Sequence, residues 1–254
     1  MELSFTQRGS GPPVVLLHGL LGSGDNLTSV ARWIESDYTV YLPDLPNHGA
    51  SPHTTHAGYD VMVSAVDGFI RTHSLVPTTL GGHSMGGKVA MRLALAAPEL
   101  VRSLVVLDIS PQRYQPSHTE IINAMHSLDL SHVKSRAEAD RKLEPAIADR
   151  SVRSFLLKNL ERVDGGYRWR LNLDGITDDY HDILGWDGVG VYPGPALFVG
   201  GGKSKYLQSD RDEQLIRAHF PNALIRMIPT AGHWIHADAP DELEEILSDF
   251  LSVG

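Results

Sequence analysis

The chain has 254 residues, 42% hydrophobic and 21% charged, enough to bury a sizeable core in an α/β unit of ordinary length. Its 31 acidic residues outnumber 22 basic ones, and the net charge of −9 argues against nucleic acid or an anionic membrane as main partner, because both need a basic surface. Cysteine is absent, which excludes disulfides, thiolate metal sites and a cysteine nucleophile and suits a reducing, cytoplasmic setting; no secretory leader and no run of membrane-span length is expected.

Short apolar runs alternate with helical stretches along the chain. Leu3 to Arg8 reads as an edge strand, followed by Val14 to Leu17, bounded by Pro13 and His18-Gly19. Thr39 to Leu42, Thr78 to Leu80 and Leu104 to Leu107 follow, and Ala196 to Val199 and Leu224 to Ile228 come late. Runs without polar alternation suit strands buried on both faces, as in a parallel sheet. Helical periodicity covers Tyr59 to His73, Met85 to Ala97 and Asp241 to Leu251, the last opening after Pro240. This alternation predicts a doubly wound, mostly parallel sheet.

Between about Ser110 and Pro195 the pattern breaks. The stretch is too long for a loop and reads as mostly helical: Ser117 to Leu128, Ser135 to Ile147 and Ser151 to Leu160, with a strand-like Tyr167 to Leu171. The expected organisation is therefore a core of residues 1–110 and 195–254, with residues 111–194 as a helical cap over the carboxyl edge of the sheet, where open α/β sheets bind ligands.

Gly82-His83-Ser84-Met85-Gly86 lies between an apolar strand and a helix. That is the pattern of a nucleophile elbow, in which a tight turn exposes a serine and the following helix points its amides at the reacting oxygen. The plainer reading is a glycine-rich helix start with Ser84 as its cap. His18-Gly19-Leu20-Leu21 follows the first strong strand, so the amides of Leu20 and Met85 are expected to form an oxyanion hole. His233, in Gly232-His233-Trp234 after the last strand, is the expected base.

The acid is less direct. The turn after the penultimate strand, Gly200-Gly201-Gly202-Lys203-Ser204, holds no carboxylate. Asp210 and Asp212 resemble first-turn helix residues, and Asp210 stays open as an alternative. Asp108 ends a strongly apolar strand; a buried carboxylate needs a partner, and an imidazole N–H is a suitable one. Leu21, His83, Trp186 and Trp234 are expected to line the substrate site. The spacing of the glycine-rich turn at 200–204 fails for a phosphate loop, and no carboxylate cluster supports the histidine pairs as metal ligands. No metal or cofactor is expected.

Together these residues resemble the α/β-hydrolase superfamily and, more closely, the YbfF-type esterases of bacteria and their mitochondrial relatives. The resemblance rests on the segment from His18 to Leu27, Asn47-His48-Gly49, His83 to Lys88, Leu107 to Pro111, Phe155 to Leu160, and Gly232 to His236. It implies an α/β-hydrolase fold, hydrolysis of carboxylic esters extending to acyl-CoA thioesters, no cofactor, and an acid at Asp108. Pro46 departs from it, standing where that family often has arginine, which puts an acyl-CoA preference in doubt. Two other readings stand beside a small-molecule ester hydrolase: a lyase or carbon–carbon hydrolase like the menaquinone-pathway lyase, and a ligand-binding protein on the same fold.

Overall fold

The computed structural model describes residues 1–252. In chain order the strands are β1 (Phe5–Gly9), β2 (Pro13–Leu17), β3 (Thr39–Pro43), β4 (Thr78–His83), β5 (Val101–Leu107), β6 (Leu160–Val163), β7 (Gly166–Trp169), β8 (Ala196–Gly201) and β9 (Ala223–Ile228). The first helices are α1 (Thr28–Ile34), α2 (Tyr59–Thr72), α3 (Met85–Ala96), α4 (Thr119–Ser127), α5 (Arg136–Leu143) and α6 (Arg150–Leu157). Then come α7 (Leu173–Asp178), α8 (Tyr180–Ile183), α9 (Ser209–His219), α10 (Ile235–Asp238) and α11 (Pro240–Ser252).

Seven strands form one sheet in the order β1-β3-β2-β4-β5-β8-β9. Only β1 runs antiparallel, against β3. The chain leaves β2 for β3 on one side and returns to β4 on the other, with Leu17 opposite Gly82. The loops after β2 and β4 therefore diverge from adjacent strand ends, the place where such sheets open a crevice.

Alternating residues explain the two helix layers. Val15, Leu17, Leu80, Leu104, Val106 and Phe198 face the layer of α2, α3 and α9. Val14, Leu16, Val105, Leu107, Leu197 and Val199 face the layer of α1 and α11. Both faces are apolar, so the strands read as unbroken apolar runs.

The long stretch between β5 and β8 carries helices α4 to α8 and the β6–β7 hairpin. Its apolar side chains, among them Ile122, Met125, Leu143 and Leu156, are continuous with the cluster on the α2–α3 side of the sheet. The structure departs from the sequence expectation at two points here. Leu160 opens a strand rather than closing a helix, and α7 and α8 fill residues that show no helical periodicity. Outside this stretch, α1 was also not expected: it is seven residues long and lacks a side-chain cap.

The loop after β3 is organised by one carboxylate. Asp44 accepts the amides of Gly24 and Ala50, each at 2.8 Å, and so ties the segment after β2 to the turn after β3. Asp44→Ala leaves the buried Gly24 amide without an acceptor and frees the solvent-accessible Ala50 amide, a cost of about 1–3 kcal/mol. We expect a lower urea midpoint of that size with an unchanged slope; an unaltered midpoint would remove Asp44 from this role.

Candidate active site

Ser84 stands between β4 and α3 with φ 53° and ψ −119°, a conformation that an L-residue keeps only when its surroundings enforce it. They do so here. The Ser84 amide donates to Leu107 O at 2.9 Å, continuing the β4–β5 ladder one residue past the strand. The Lys88 amide takes the Ser84 carbonyl at 3.1 Å and starts α3. A side chain at Gly86 would collide with the carbonyls of Leu17 and His18, so glycine lets the elbow press against the end of β2.

The imidazole of His233 lies between Ser84 and Asp108. Its Nε2 is 3.1 Å from Ser84 Oγ and its Nδ1 is 2.7 Å from Asp108 Oδ2. Asp108 is fully buried at the end of β5, with φ 51° and its amide donating to Val199 O at 2.8 Å. Beyond His233, its carboxylate accepts the Gly201 amide at 3.0 Å and the Ser204 hydroxyl. Burial pushes His233 down to about 3, so the ring is neutral near pH 7 and free to accept a proton. Burial also pushes Asp108 up to about 7, against the pull of the Ser204 hydroxyl and the Gly201 amide.

Two rings pack against the imidazole. Tyr206 lies against it at 4.1 Å between centroids and His83 at 4.7 Å. His83 Nε2 donates to the His233 carbonyl at 2.8 Å and fastens the loop after β9. Burial keeps His83 neutral, its value pushed down to about 3.

Two further histidines shape the loop after β2. His18 donates from Nδ1 to Gly19 O at 2.8 Å and accepts the Leu45 amide at Nε2 at 2.9 Å. His48 donates from Nδ1 to Pro46 O at 2.9 Å and accepts the Leu21 amide at Nε2 at 3.3 Å. Each ring must be neutral to accept at Nε2, and burial pushes them down to about 4 and about 3. Leu21, at φ 60°, is held also by Asn159 Nδ2, which donates to its carbonyl at 2.7 Å. The Met85 amide, first in α3 and next to Ser84, has no acceptor within the helix.

These groups open into a cavity of about 820 Å³, within the usual range of roughly 300–1,000 Å³ for small-molecule sites. Ser84, His233, Leu20 and Leu21 line its floor, and Ile121, Val152, Phe155 and Trp234 give an apolar wall. Phe155 and Trp234 meet at 5.6 Å between ring centroids.

The structure thus brings together Ser84, His233, Asp108, Leu20, Met85, Leu21, His83 and Trp234. Trp186 falls elsewhere. It follows α8 along the flank of α3, packs on His219 at 5.8 Å, and lines a separate cavity with Tyr59 and Arg92. The chain reaches that flank because the carbonyls just before Trp186 are tied to α2 and α3. Asp210 is exposed in the first turn of α9, while His233 Nδ1 is taken by Asp108. Ser204 and Tyr206 were not anticipated. The available signal was the missing carboxylate after β8: the turn that lacks an acid supplies donors to one. Pro46 is buried and outside the cavity lining. No group of three or more metal-ligating side chains occurs among the described residues.

A parallel sheet with a strained serine between strand and helix, beneath a long insertion, is the architecture of the α/β hydrolases. A family model described as the alpha/beta hydrolase fold matches residues 12–156. A Mus musculus protein named sn-1-specific diacylglycerol lipase ABHD11 is 40% identical over 250 residues, covering 95% of this chain and 81% of the relative. Esterase YbfF of Escherichia coli is 35% identical over 241 residues, covering 94% of this chain and 93% of that one. A solved structure titled marine microorganism esterase superposes with a TM-score of 0.94 at 41% identity, covering 98% of this chain and 99% of that one. The chain belongs to the α/β-hydrolase family and, within it, to the group that includes the YbfF esterase.

The buried histidines carry a prediction about pH. His18, His48 and His83 hold their protons less tightly folded than unfolded, so the unfolded state takes up protons first as pH falls below about 6.5. Stability is complete above that value and is lost on the way down toward the folded values. Each ring should remove on the order of 1–2 kcal/mol by pH 5. Urea midpoints measured from pH 7.5 to 5 should fall steeply; a flat profile would contradict neutral burial.

Proposed function

We propose that this protein is a serine carboxylesterase in which Ser84, His233 and Asp108 act as nucleophile, base and orienting acid. The observation that carries the reading is the continuous line from Ser84 Oγ through both nitrogens of His233 to the Asp108 carboxylate, at 3.1 and 2.7 Å. A serine hydroxyl is a weak nucleophile until a base takes its proton. His233 takes it at Nε2 as Oγ attacks the ester carbonyl carbon. The imidazolium then forms beside Asp108, which holds the Nδ1 proton and stabilises the charge.

The carbonyl oxygen becomes an oxyanion between the amides of Leu20 and Met85. Each such donor lowers the barrier by roughly 3 kcal/mol. His233 passes its proton to the departing alcohol, leaving an acyl group on Ser84. Water, deprotonated by the same imidazole, attacks that acyl group and releases the acid. Nothing in this sequence needs a cofactor.

The apolar wall of Ile121, Val152, Phe155 and Trp234 supports esters with an apolar acyl chain as the substrate class. The name of the mouse relative, a diacylglycerol lipase, points the same way. Acyl thioesters share the carbonyl chemistry and stay within the proposal. Among the described residues no helix is long and apolar enough to cross a membrane.

Substitutions separate the roles. Ser84→Ala should lower kcat on a chromogenic ester by about 10⁴–10⁶ and abolish labelling by a fluorophosphonate. Asp108→Asn should cost about 10⁴, by presenting the wrong imidazole tautomer. Asp210→Asn should stay within about twofold of the parent, since its exposed carboxylate is outside the line of proton transfer. A loss at Asp210 equal to that at Asp108 would reassign the acid. Wild-type turnover in Ser84→Ala would end the mechanism.

A further inference from the structure

Lys88 is 1% exposed, one helical turn beyond Ser84, and has no part in the proposed chemistry. Its Nζ donates to Leu184 O at 3.0 Å and to Gly185 O at 2.7 Å. These carbonyls close the end of α8, where the long insertion turns back toward β8. The adjoining carbonyl, Ile183 O, accepts the Tyr59 hydroxyl from α2 at 2.7 Å. The faces of Tyr114 and Tyr59 flank the ammonium at 4.7 and 5.8 Å. Three successive carbonyls of the insertion are thus held by side chains of the two helices that pack beside the nucleophile.

A buried amine is an expensive way to fill space. Burial pushes Lys88 down to about 7. An apolar side chain of the same length would pack there without that cost. What the amine adds is direction: its donors meet carbonyls of a distant segment at one relative position only.

We infer that Lys88 is a positioning residue that sets the insertion against the nucleophile helix and so fixes the acyl-binding wall without touching substrate. The inference rests on the esterase reading above. Ile121, Val152 and Phe155 belong to the insertion, whereas Ser84 opens α3, the helix that carries Lys88. Releasing the tie shifts the wall relative to the nucleophile and leaves the serine, histidine and acid in place. Other bonds still hold the insertion, including Asn159 to Leu21 O at 2.7 Å and Asn172 to Asn47 Oδ1 at 2.9 Å. Substrate binding should therefore suffer more than chemistry, and long acyl chains more than acetyl.

The test compares p-nitrophenyl octanoate with p-nitrophenyl acetate for the parent and for Lys88→Met and Lys88→Arg. Lys88→Met should raise KM for octanoate about 10-fold relative to acetate, the effect of losing roughly one charged hydrogen bond. The kcat for acetate should stay within about 3-fold, and Lys88→Arg should restore most of the ratio. Amide exchange, followed by mass spectrometry, should quicken over residues 180–190 of Lys88→Met and not over α3. Equal changes for both esters, unchanged exchange, or a kcat loss that arginine does not rescue would each overturn the inference. If Lys88→Met does not fold, Tyr59→Phe takes its place: a split of about 3-fold is expected, and no split overturns the inference. Failure of the esterase reading looks different, because the parent itself would then turn over neither ester, and the exchange comparison alone would decide the tie.

Discussion

A carboxylate with no exposed surface at the end of β5 is the constraint around which this molecule is arranged. Asp108 cannot stay ionised in that position without donors, and none comes from its own neighbourhood in the chain. They arrive from the Gly201 amide, the Ser204 hydroxyl and the His233 ring, all placed after the insertion. The chain must therefore return to lie beside β5, which β8 does, and then carry a loop back over it after β9. The burial of the acid itself draws on no residue between β5 and β8, because its donors all follow once the sheet resumes.

The strand ends are also where the backbone is least relaxed. Leu21, Ser84 and Asp108 all take positive φ, each at the carboxyl end of a neighbouring strand of the sheet. Such residues cost of order 1–3 kcal/mol apiece and persist only where the surroundings over-determine them. The ladder bonds of Ser84 and Asp108 to the next strand supply that determination, and a neutral His48 supplies it for Leu21. Local strain is thereby offset by the sheet and by imidazoles that serve as acceptors inside the fold rather than as bases.

Most of the sheet was legible because strands buried on both faces leave unbroken apolar runs, as Val14 to Leu17 and Leu104 to Leu107 do. The elbow was legible because its glycines answer a steric demand that the strand–turn–helix order imposes. Asp108 was readable as an acid that ends an apolar strand and must find a donor. The α6–β6 boundary was not, since Leu156, Leu157 and Leu160 keep a helical spacing across a change of element. Gly165 and Gly166, both at positive φ, are what turn that segment back as a hairpin. Trp186 shows the larger gap. Its placement depends on ties from Tyr59 and Lys88, far away in the chain, and local pattern carries no record of those.

The same ties bear on how recognition relates to chemistry in this fold. In the mechanism proposed above, proton transfer uses groups fixed by strands β4, β5 and β9, whereas Ile121, Val152 and Phe155 of the apolar wall belong to the insertion. Apolar packing alone joins the insertion to the core without specifying register, because it is non-directional. The directional part is polar: Asn159 on the loop after β2, Asn172 on the loop after β3, and Lys88 with Tyr59 on the helices behind the serine. Each bond joins the insertion to an element that positions a different part of the catalytic corner. A wall held at three such points keeps one distance to the serine, so on the proposed esterase reading the length of chain the cavity accepts depends on these polar contacts as well as on the side chains that line it.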